Sequence, residues 1–261
     1  GRVKVDASLS SQYVSALLMA AAMADGPVEV ALEGEEIGAR GYVGLTLAAM
    51  ARFGAEVESL GPASWRVAPT GYRAARVMVE PDASAAVFLW VAERLTGGRI
   101  DLGLAPSAFT QPDAAAFDLV STFPRLPKVI DGAQIQDAVP ALAVLAAFGQ
   151  GPVRFTGVAN LRVKECDRLA AVRAELNRLK DGLAREEGDE LVVEGDPDLA
   201  RTARPASIRT YHDHRIAMSF ALAGLRIPGI AIEDPGCAAK TWPEFWTRMG
   251  ELGAQMTLER R

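Results

Sequence analysis

Asn160-Leu161-Arg162-Val163-Lys164-Glu165-Cys166-Asp167-Arg168 is the stretch on which the reading of this chain turns. Six of its nine residues are charged or amide-bearing. Arg162, Lys164 and Arg168 place three cations within seven residues, with Glu165 and Asp167 between them. From Leu169 onward the apolar residues Leu169, Val172, Leu176 and Leu179 recur at helical spacing. The charged cluster therefore occupies a loop and the first turn of a helix. The helix macrodipole disfavours cations at that end unless an anion binds there. A plain solvated helix start carries acids, with the bases at the far end. The pattern points to an anion site.

Other helix starts carry similar signals. Ser10-Ser11-Gln12 precede the first helical segment, and the paired hydroxyls suit a phosphate at an open helix start. Glu80-Pro81-Asp82-Ala83-Ser84 precede the third, and Asp137 stands before Ala138-Val139-Pro140 as a cap followed by a first-turn proline. Tyr211-His212-Asp213-His214-Arg215 opens the sixth, and Lys240-Thr241-Trp242-Pro243 opens the last, with Thr241 read as its cap. Capping accounts for Asp82 and Asp213. It does not account for Lys164, Arg168, Arg215 and Lys240, four cations read at helix starts and expected to converge on one cleft that binds phosphate or carboxylate groups.

The coarse order along the chain is a repeating α/β one. Periodicity predicts helices over 12–24, 42–53, 84–95, 138–148, 167–179, 214–225 and 242–252. Strands are predicted at 28–32, 56–60, 65–67, 76–79, 99–102, 153–156, 190–193 and 229–232, and Gly1-Arg2-Val3-Lys4-Val5 reads as a further strand with no lead-in. A recurring supersecondary unit is expected. The best boundary lies near Val79 and Glu80.

Composition removes several classes. The chain has 261 residues, 49% hydrophobic and 23% charged, which suits a globular protein of one or two domains. A net charge of −5 argues against a nucleic-acid surface, so any anion site must arise from local clustering. No apolar run reaches membrane-spanning length. Two cysteines, Cys166 and Cys237, form no disulfide framework and suit a reducing cytoplasm. Both read as structural thiols, although the cations around Cys166 could lower its pKa. His212-Asp213-His214 has poor spacing for a metal on one helix face, and no Walker A loop or dinucleotide fingerprint is present. Trp242 and Trp246 read as core.

At this point the motifs resemble those of the 5-enolpyruvylshikimate-3-phosphate synthases. Ser10-Ser11-Gln12-Tyr13, Glu80 to Ser84, Asp137 to Pro140, Asn160 to Arg168, Tyr211 to Arg215 and Cys237-Ala238-Ala239-Lys240-Thr241 occur in the family's order over nearly the whole chain. The resemblance implies an α/β (α+β) enolpyruvyl transferase fold built from βαβαββ units in two lobes. Residues 1–79 would form an incomplete lobe on the shikimate 3-phosphate side. Residues 80–261 would form a second lobe with most phosphoenolpyruvate and acid/base residues. The implied reaction moves the enolpyruvyl group of phosphoenolpyruvate to the 5-hydroxyl of shikimate 3-phosphate, with no metal or organic cofactor. Ser10, Ser11, Gln12 and Tyr42 would bind shikimate 3-phosphate, with Asn160 and Lys164 on its phosphate-sugar side. Asp137 would hold its hydroxyls and take part in proton transfer at the 5-hydroxyl. Glu165 would be the acid/base at the phosphoenolpyruvate methylene. Arg168, Arg215 and Lys240 would bind phosphoenolpyruvate, and Lys240 would also assist the leaving group.

Three departures accompany the match. The family chain is longer at its N-terminus, where it carries a Lys-Ser segment with a nearby Arg, an Asn-x-Gly-Thr loop and another phosphoenolpyruvate-binding Arg. A serine is usual where Ala39 stands. The stretch 104–131 is shorter than the family's, so one repeat is expected to be incomplete. The expectation is therefore activity only together with an N-terminal segment, in a fragment, a split subunit or a degenerate paralogue. The competing expectation is a non-catalytic phosphate-binding or interaction module that kept the fold.

Overall fold

Two stretches of the chain fold into the same unit. The structure, a computed structural model, describes residues 1–7, 10–33 and 40–258. The first unit runs β1 (Arg2–Asp6), α1 (Gln12–Ala21), β2 (Val28–Glu33), α2 (Arg40–Arg52), β3 (Val57–Gly61) and β4 (Ser64–Val67). Two helices follow, α3 (Ala83–Thr96) and α4 (Ala116–Ser121). The second unit runs β5 (Val129–Asp131), α5 (Val139–Ala147), β6 (Val153–Thr156), α6 (Arg168–Leu179), β7 (Ala184–Glu187) and β8 (Glu190–Val193). The chain continues through α7 (Leu199–Thr202), β9 (Ala206–Ile208), α8 (His214–Gly224), β10 (Ile230–Ile232) and α9 (Phe245–Glu251). The expected βαβαββ repeat is thus present twice. The two sheets have matching orders, β1-β2-β4-β3 and β5-β6-β8-β7. In each, the first two strands are parallel and the others antiparallel. A parallel pair needs a crossover, which α1 and α5 supply.

Local chemistry sets the helix ends. Asp82 caps α3 by accepting from the backbone N–H groups of Ser84 at 2.8 Å and Ala85 at 3.3 Å. Gly97 closes the same helix at φ 72°, a conformation that costs glycine little. Asp167 caps α6 through Ala170 N at 3.0 Å, and Asp213 caps α8 through Arg215 N at 2.8 Å. The apolar side chains gather in two buried clusters, one among residues 7–67 and one among residues 83–249. In the second, α3, α5 and α8 pack against one another. All nine residues of α5 are buried, as its wholly apolar sequence VPALAVLAA requires.

Several expectations need correction. Residues 76–79 and 99–102 form no strand. Met78 and Val79 are strongly exposed, and neither stretch enters a ladder, so β-propensity has nothing to pair with. Short strands appear instead at β5, β7 and β9. β7 reads AREE, a polar edge strand whose chemistry conceals it. Thr241 caps no helix: Pro235–Lys240 is a 3₁₀ turn, and α9 begins only at Phe245, after Glu244. Asp137 caps no helix either. Ala138 is the residue before α5, and the Asp137 carboxylate is turned elsewhere. Ala39 lies outside the described residues.

Candidate active site

The site is built around one buried guanidinium. Arg168, the first residue of α6, is 2% exposed and reaches three carboxylates. Its Nε donates to Asp213 Oδ2 at 2.7 Å, its Nη1 to Asp137 Oδ1 at 3.0 Å and its Nη2 to Glu165 Oε2 at 2.7 Å. Arg215 holds the other Asp137 oxygen at 2.9 Å and donates to the Asp137 carbonyl at 3.2 Å. Lys240 donates to Glu165 Oε1. A continuous chain therefore runs Lys240, Glu165, Arg168, Asp137, Arg215. Such charge-assisted bonds fix geometry as well as charge. One fork sets the distance between two carboxylates that could exchange protons with a ligand.

The protonation of these groups follows. Burial opposes the charge of Glu165, but Lys240 and Arg168 outweigh it and hold its carboxyl at about 2. Burial likewise opposes the charge of Asp137. Arg215, then Arg168 and Lys164, outweigh it and keep that carboxyl below the ordinary range. Both are carboxylates at neutral pH. Cys166 differs from the sequence expectation: burial, then the Asp213 carboxylate, push its thiol up to about 12. Its Sγ lies 3.6 Å from Asp213 Oδ2, so the nearest charge is an anion and not one of the cations beside it in sequence.

Strained backbone presents part of this cluster. Tyr211 and His212, just ahead of α8, sit at φ 55° and 56°, unusual for residues with side chains. Tyr211 is held by its hydroxyl on Glu175 Oε1 at 2.7 Å, and His212 by Asp234 Oδ2 at 2.8 Å. The bend delivers Asp213 to Arg168. His212 thus turns to Asp234 while Asp213 turns to Arg168. His214 is buried, with both ring nitrogens lacking a hydrogen-bond partner among the described residues.

Beside the ion-pair chain lies a cleft of about 190 Å³. The first unit lines it with Ser10, Ser11, Gln12, Ser15, Tyr42, Leu45 and Thr46. Gln136, Asp137 and Lys164 line the opposite side. Ser15 Oγ and Thr46 Oγ1 are 2.8 Å apart and tie α1 to α2 beneath the hydroxyl-rich wall. Ser11 makes no side-chain capping bond at the start of α1 among the described residues, while Ser10 Oγ accepts from Gln12 N at 3.2 Å.

Ser10, Ser11, Gln12, Tyr42, Asp137 and Lys164 share the cleft. Glu165, Arg168, Arg215 and Lys240 join it through Asp137 and the ion-pair chain. Asn160 is buried in the 3₁₀ turn Ala159–Val163, away from the cleft lining, with Oδ1 unpartnered among the described residues. Lys164, Arg168, Arg215 and Lys240 gather around the Asp137 and Glu165 carboxylates, but of the four only Lys164 lines the cleft, and a helix start accounts for two. Arg168 and Arg215 lie in first turns; Lys164 follows a 3₁₀ turn and Lys240 ends one. Arg162 belongs to a separate network with Asp167, Glu186 and Asp189. Trp242 and Trp246 pack on Phe245 at ring distances of 5.3 and 4.9 Å. Sequence reasoning missed Asp213 as a partner of Arg168, because capping already explained it. It also missed Glu175, an acid on the buried face of α6, which was the available signal.

This fold is shared with solved enolpyruvyl transferases. It aligns with the EPSP synthase of Acinetobacter baumannii at a TM-score of 0.74 and 22% identity, over 99% of this chain and 64% of that one. It aligns with NikO from Streptomyces tendae at 0.65 and 20% identity, over 90% and 57%. In sequence, the model of the family described as EPSP synthase (3-phosphoshikimate 1-carboxyvinyltransferase) matches residues 1–249, and the chain belongs to that family. It is 62% identical over 252 residues to the 3-phosphoshikimate 1-carboxyvinyltransferase of Rhizobium leguminosarum bv. trifolii, covering 97% of this chain and 60% of the relative. It is 60% identical over 256 residues to that of Pseudomonas syringae pv. syringae, covering 98% and 61%. The chain thus spans about 60% of the length of the curated relatives it matches. No helix among the described residues is long and apolar enough to cross a membrane.

Proposed function

We propose that this chain supplies the shikimate 3-phosphate site and most of the phosphoenolpyruvate site of an enolpyruvyl transfer reaction. The observation that carries the proposal is the single Arg168 guanidinium bridging Asp137 and Glu165, with Lys240 on the far oxygen of Glu165. Two carboxylates at fixed separation among cations are what addition followed by elimination needs. In this reading the 5-hydroxyl of shikimate 3-phosphate adds to C2 of phosphoenolpyruvate and gives its proton to Asp137. Glu165 protonates the methylene carbon. Elimination then breaks the bond from C2 to the phosphate oxygen, Glu165 takes a proton back from the new methyl group, and Lys240 assists the departing phosphate.

The low pKa of Glu165 fits one order of events. With Lys240 and Arg168 on it, this carboxyl holds no proton at neutral pH. Phosphoenolpyruvate brings its own phosphate and carboxylate. When these draw Lys240 and Arg168 away from Glu165, its pKa rises toward the ordinary range. The proton that Glu165 delivers to the methylene carbon is taken up from solvent, and loosening the two cations lowers the cost of that uptake. Ser10, Ser11, Gln12, Tyr42 and Lys164, all in the cleft, hold shikimate 3-phosphate in this scheme.

The two buried clusters are read as two lobes, 1–79 and 80–261. Further phosphoenolpyruvate-binding cations are assigned to an N-terminal segment of the longer relatives, and the active unit contains that segment. The reaction is placed in the cytoplasm. The test is phosphate release from phosphoenolpyruvate and shikimate 3-phosphate with that segment present. There, Glu165→Gln should lower turnover by about 10²–10⁴. Its affinity for shikimate 3-phosphate, read by calorimetry, should change less than about threefold. Equal losses in both would make Glu165 a structural residue and remove the acid/base assignment.

A further inference from the structure

The start of α2 docks on a short segment beyond the third helix. A Cβ at Gly41 would meet Pro112 Cγ at 2.5 Å, so the close approach of these two segments requires glycine. Gly41 N–H donates to Gln134 Oε1 at 3.2 Å. Beside it, the Tyr42 hydroxyl donates to Asp113 Oδ2 at 2.5 Å. The hydroxyl of Ser84, in the first turn of α3, donates to the same oxygen. Asp113 is 0% exposed, and its Oδ1 is buried without a hydrogen-bond partner among the described residues.

The segment carrying Asp113 is itself anchored. Glu80 accepts from Thr110 N at 3.0 Å, Thr110 Oγ1 at 3.1 Å and Gln111 N at 3.2 Å. Gln111 returns two bonds, donating to Pro81 O at 2.7 Å and accepting from Ala83 N at 2.9 Å. These bonds lash the connection between the two buried clusters to residues 110–113. Burying a carboxyl with an unpaired oxygen is unfavourable, and mere packing would be served better by an apolar residue of similar size. Burial, then the negative charge of Asp137, push the Asp113 carboxyl up.

We propose that Asp113 is a positioning residue: anchored through Ser84 and the connection at Glu80, it fixes the Tyr42 hydroxyl. Through Tyr42 it sets the hydroxyl-lined wall of the cleft against the Asp137 and Lys164 wall. The inference rests on the reading of that cleft as the shikimate 3-phosphate site, and it adds a residue to it. Asp113 touches no substrate and acts through Tyr42 alone.

Calorimetry with shikimate 3-phosphate on the chain tests it, using Asp113→Leu, Asp113→Asn, Tyr42→Phe and the Leu/Phe double variant. Asparagine keeps an oxygen to accept the Tyr42 proton; leucine does not. Asp113→Leu should weaken binding about tenfold or more, while Asp113→Asn stays within about threefold of the unaltered chain. The double variant should bind no more weakly than Tyr42→Phe alone, as expected for two groups acting as one. Unchanged binding in Asp113→Leu, or losses that multiply in the double variant, would overturn the proposal. Amide hydrogen exchange gives a second readout without ligand. Tyr42→Phe, a conservative change expected to fold, should speed exchange across residues 110–113 and leave the α5 amides protected. If the unaltered chain binds no shikimate 3-phosphate, the reading of the cleft fails. The exchange experiment still decides the link between Asp113 and Tyr42, and unaltered exchange at 110–113 would sink it.

Discussion

The two βαβαββ units share strand order and pairing, yet their first helices lead different lives. In the second unit α5 is buried on every side, packed between α3 and α8. In the first unit only Val14, Leu18 and Ala21 of α1 are buried, while Tyr13 is 59% and Met19 48% exposed. The unit therefore fixes the sheet and the crossover. Burial of its inner helix is decided by how many neighbouring helices surround it. The chemistry divides in the same way. The start of α6 meets the start of α8 and the 3₁₀ turn ending at Lys240, so its charges are interlocked. The start of α1 faces the cleft with the hydroxyls of Ser10 and Ser11. Proton chemistry sits on one side of the cleft and anion-holding hydroxyls on the other.

The hardest way to break this division is to remove its central cation. Arg168→Met leaves Asp213 buried and Asp137 and Glu165 partly so, without the fork that bridges them. Stripping one partner from a buried ion pair typically costs about 3–5 kcal/mol. Denaturant unfolding should show a loss of that size. A loss under about 1 kcal/mol would mean that Arg215 and Lys240 suffice to hold the carboxylates. Next in size is the helix core itself. Leu145→Ala in α5 should cost about 2–5 kcal/mol, because the side chain is fully buried among helices that cannot collapse freely.

Acid titration sharpens the contrast between the two walls. Glu165 is held at about 2, below its ordinary 4.5, and Asp137 is also shifted down. A carboxyl with a depressed folded pKa adds stability that is complete above its unfolded value and disappears as pH falls through the folded one. The loss should therefore run from about pH 4.5 down to about 2. In Lys240→Met the shift of Glu165 shrinks, so less stability is lost over that window. The first unit's lining residues carry no carboxylate and should contribute nothing to the slope. Melting temperatures across that range in both proteins measure it. Identical slopes would remove Lys240 from the network.

The long helices were legible because their apolar spacing is regular and their caps are single residues. Leu169, Val172, Leu176 and Leu179 all lie buried on α6, and Asp82 and Asp213 cap as read. The short strands were not legible, since three or four residues such as AREE owe their form to a ladder partner distant in sequence. The site residues were visible as anomalies: cations where the helix dipole disfavours them. Which cation meets which carboxylate was not visible. Arg162 and Arg168 look alike in sequence, yet one salt-bridges the β7 and β8 turn and the other organises the cleft. Tertiary distance alone separates them. Asp113 was hidden for the same reason, because its partners Tyr42 and Ser84 lie 71 and 29 residues away.

The smallest effect expected is at the uncovered face of α1. Tyr13, Ala16 and Ala20, with Met23 just past the helix end, recur at three- and four-residue spacing, and all four are exposed. Together with Met19 they make an apolar stripe where α5 shows only buried surface. Replacing Met19 and Met23 by Gln removes little packing, so the unfolding free energy should stay within about 0.5 kcal/mol. An exposed apolar stripe does favour association, and the substitution takes away its two largest unbranched side chains. Light scattering of the 261-residue chain should then show less self-association in the variant at equal concentration. If instead stability falls by more than about 1 kcal/mol, the methionines carry buried contacts and α1 is enclosed as α5 is. In that case the two units differ less than their exposure indicates, and the contrast between them rests on the helix starts alone.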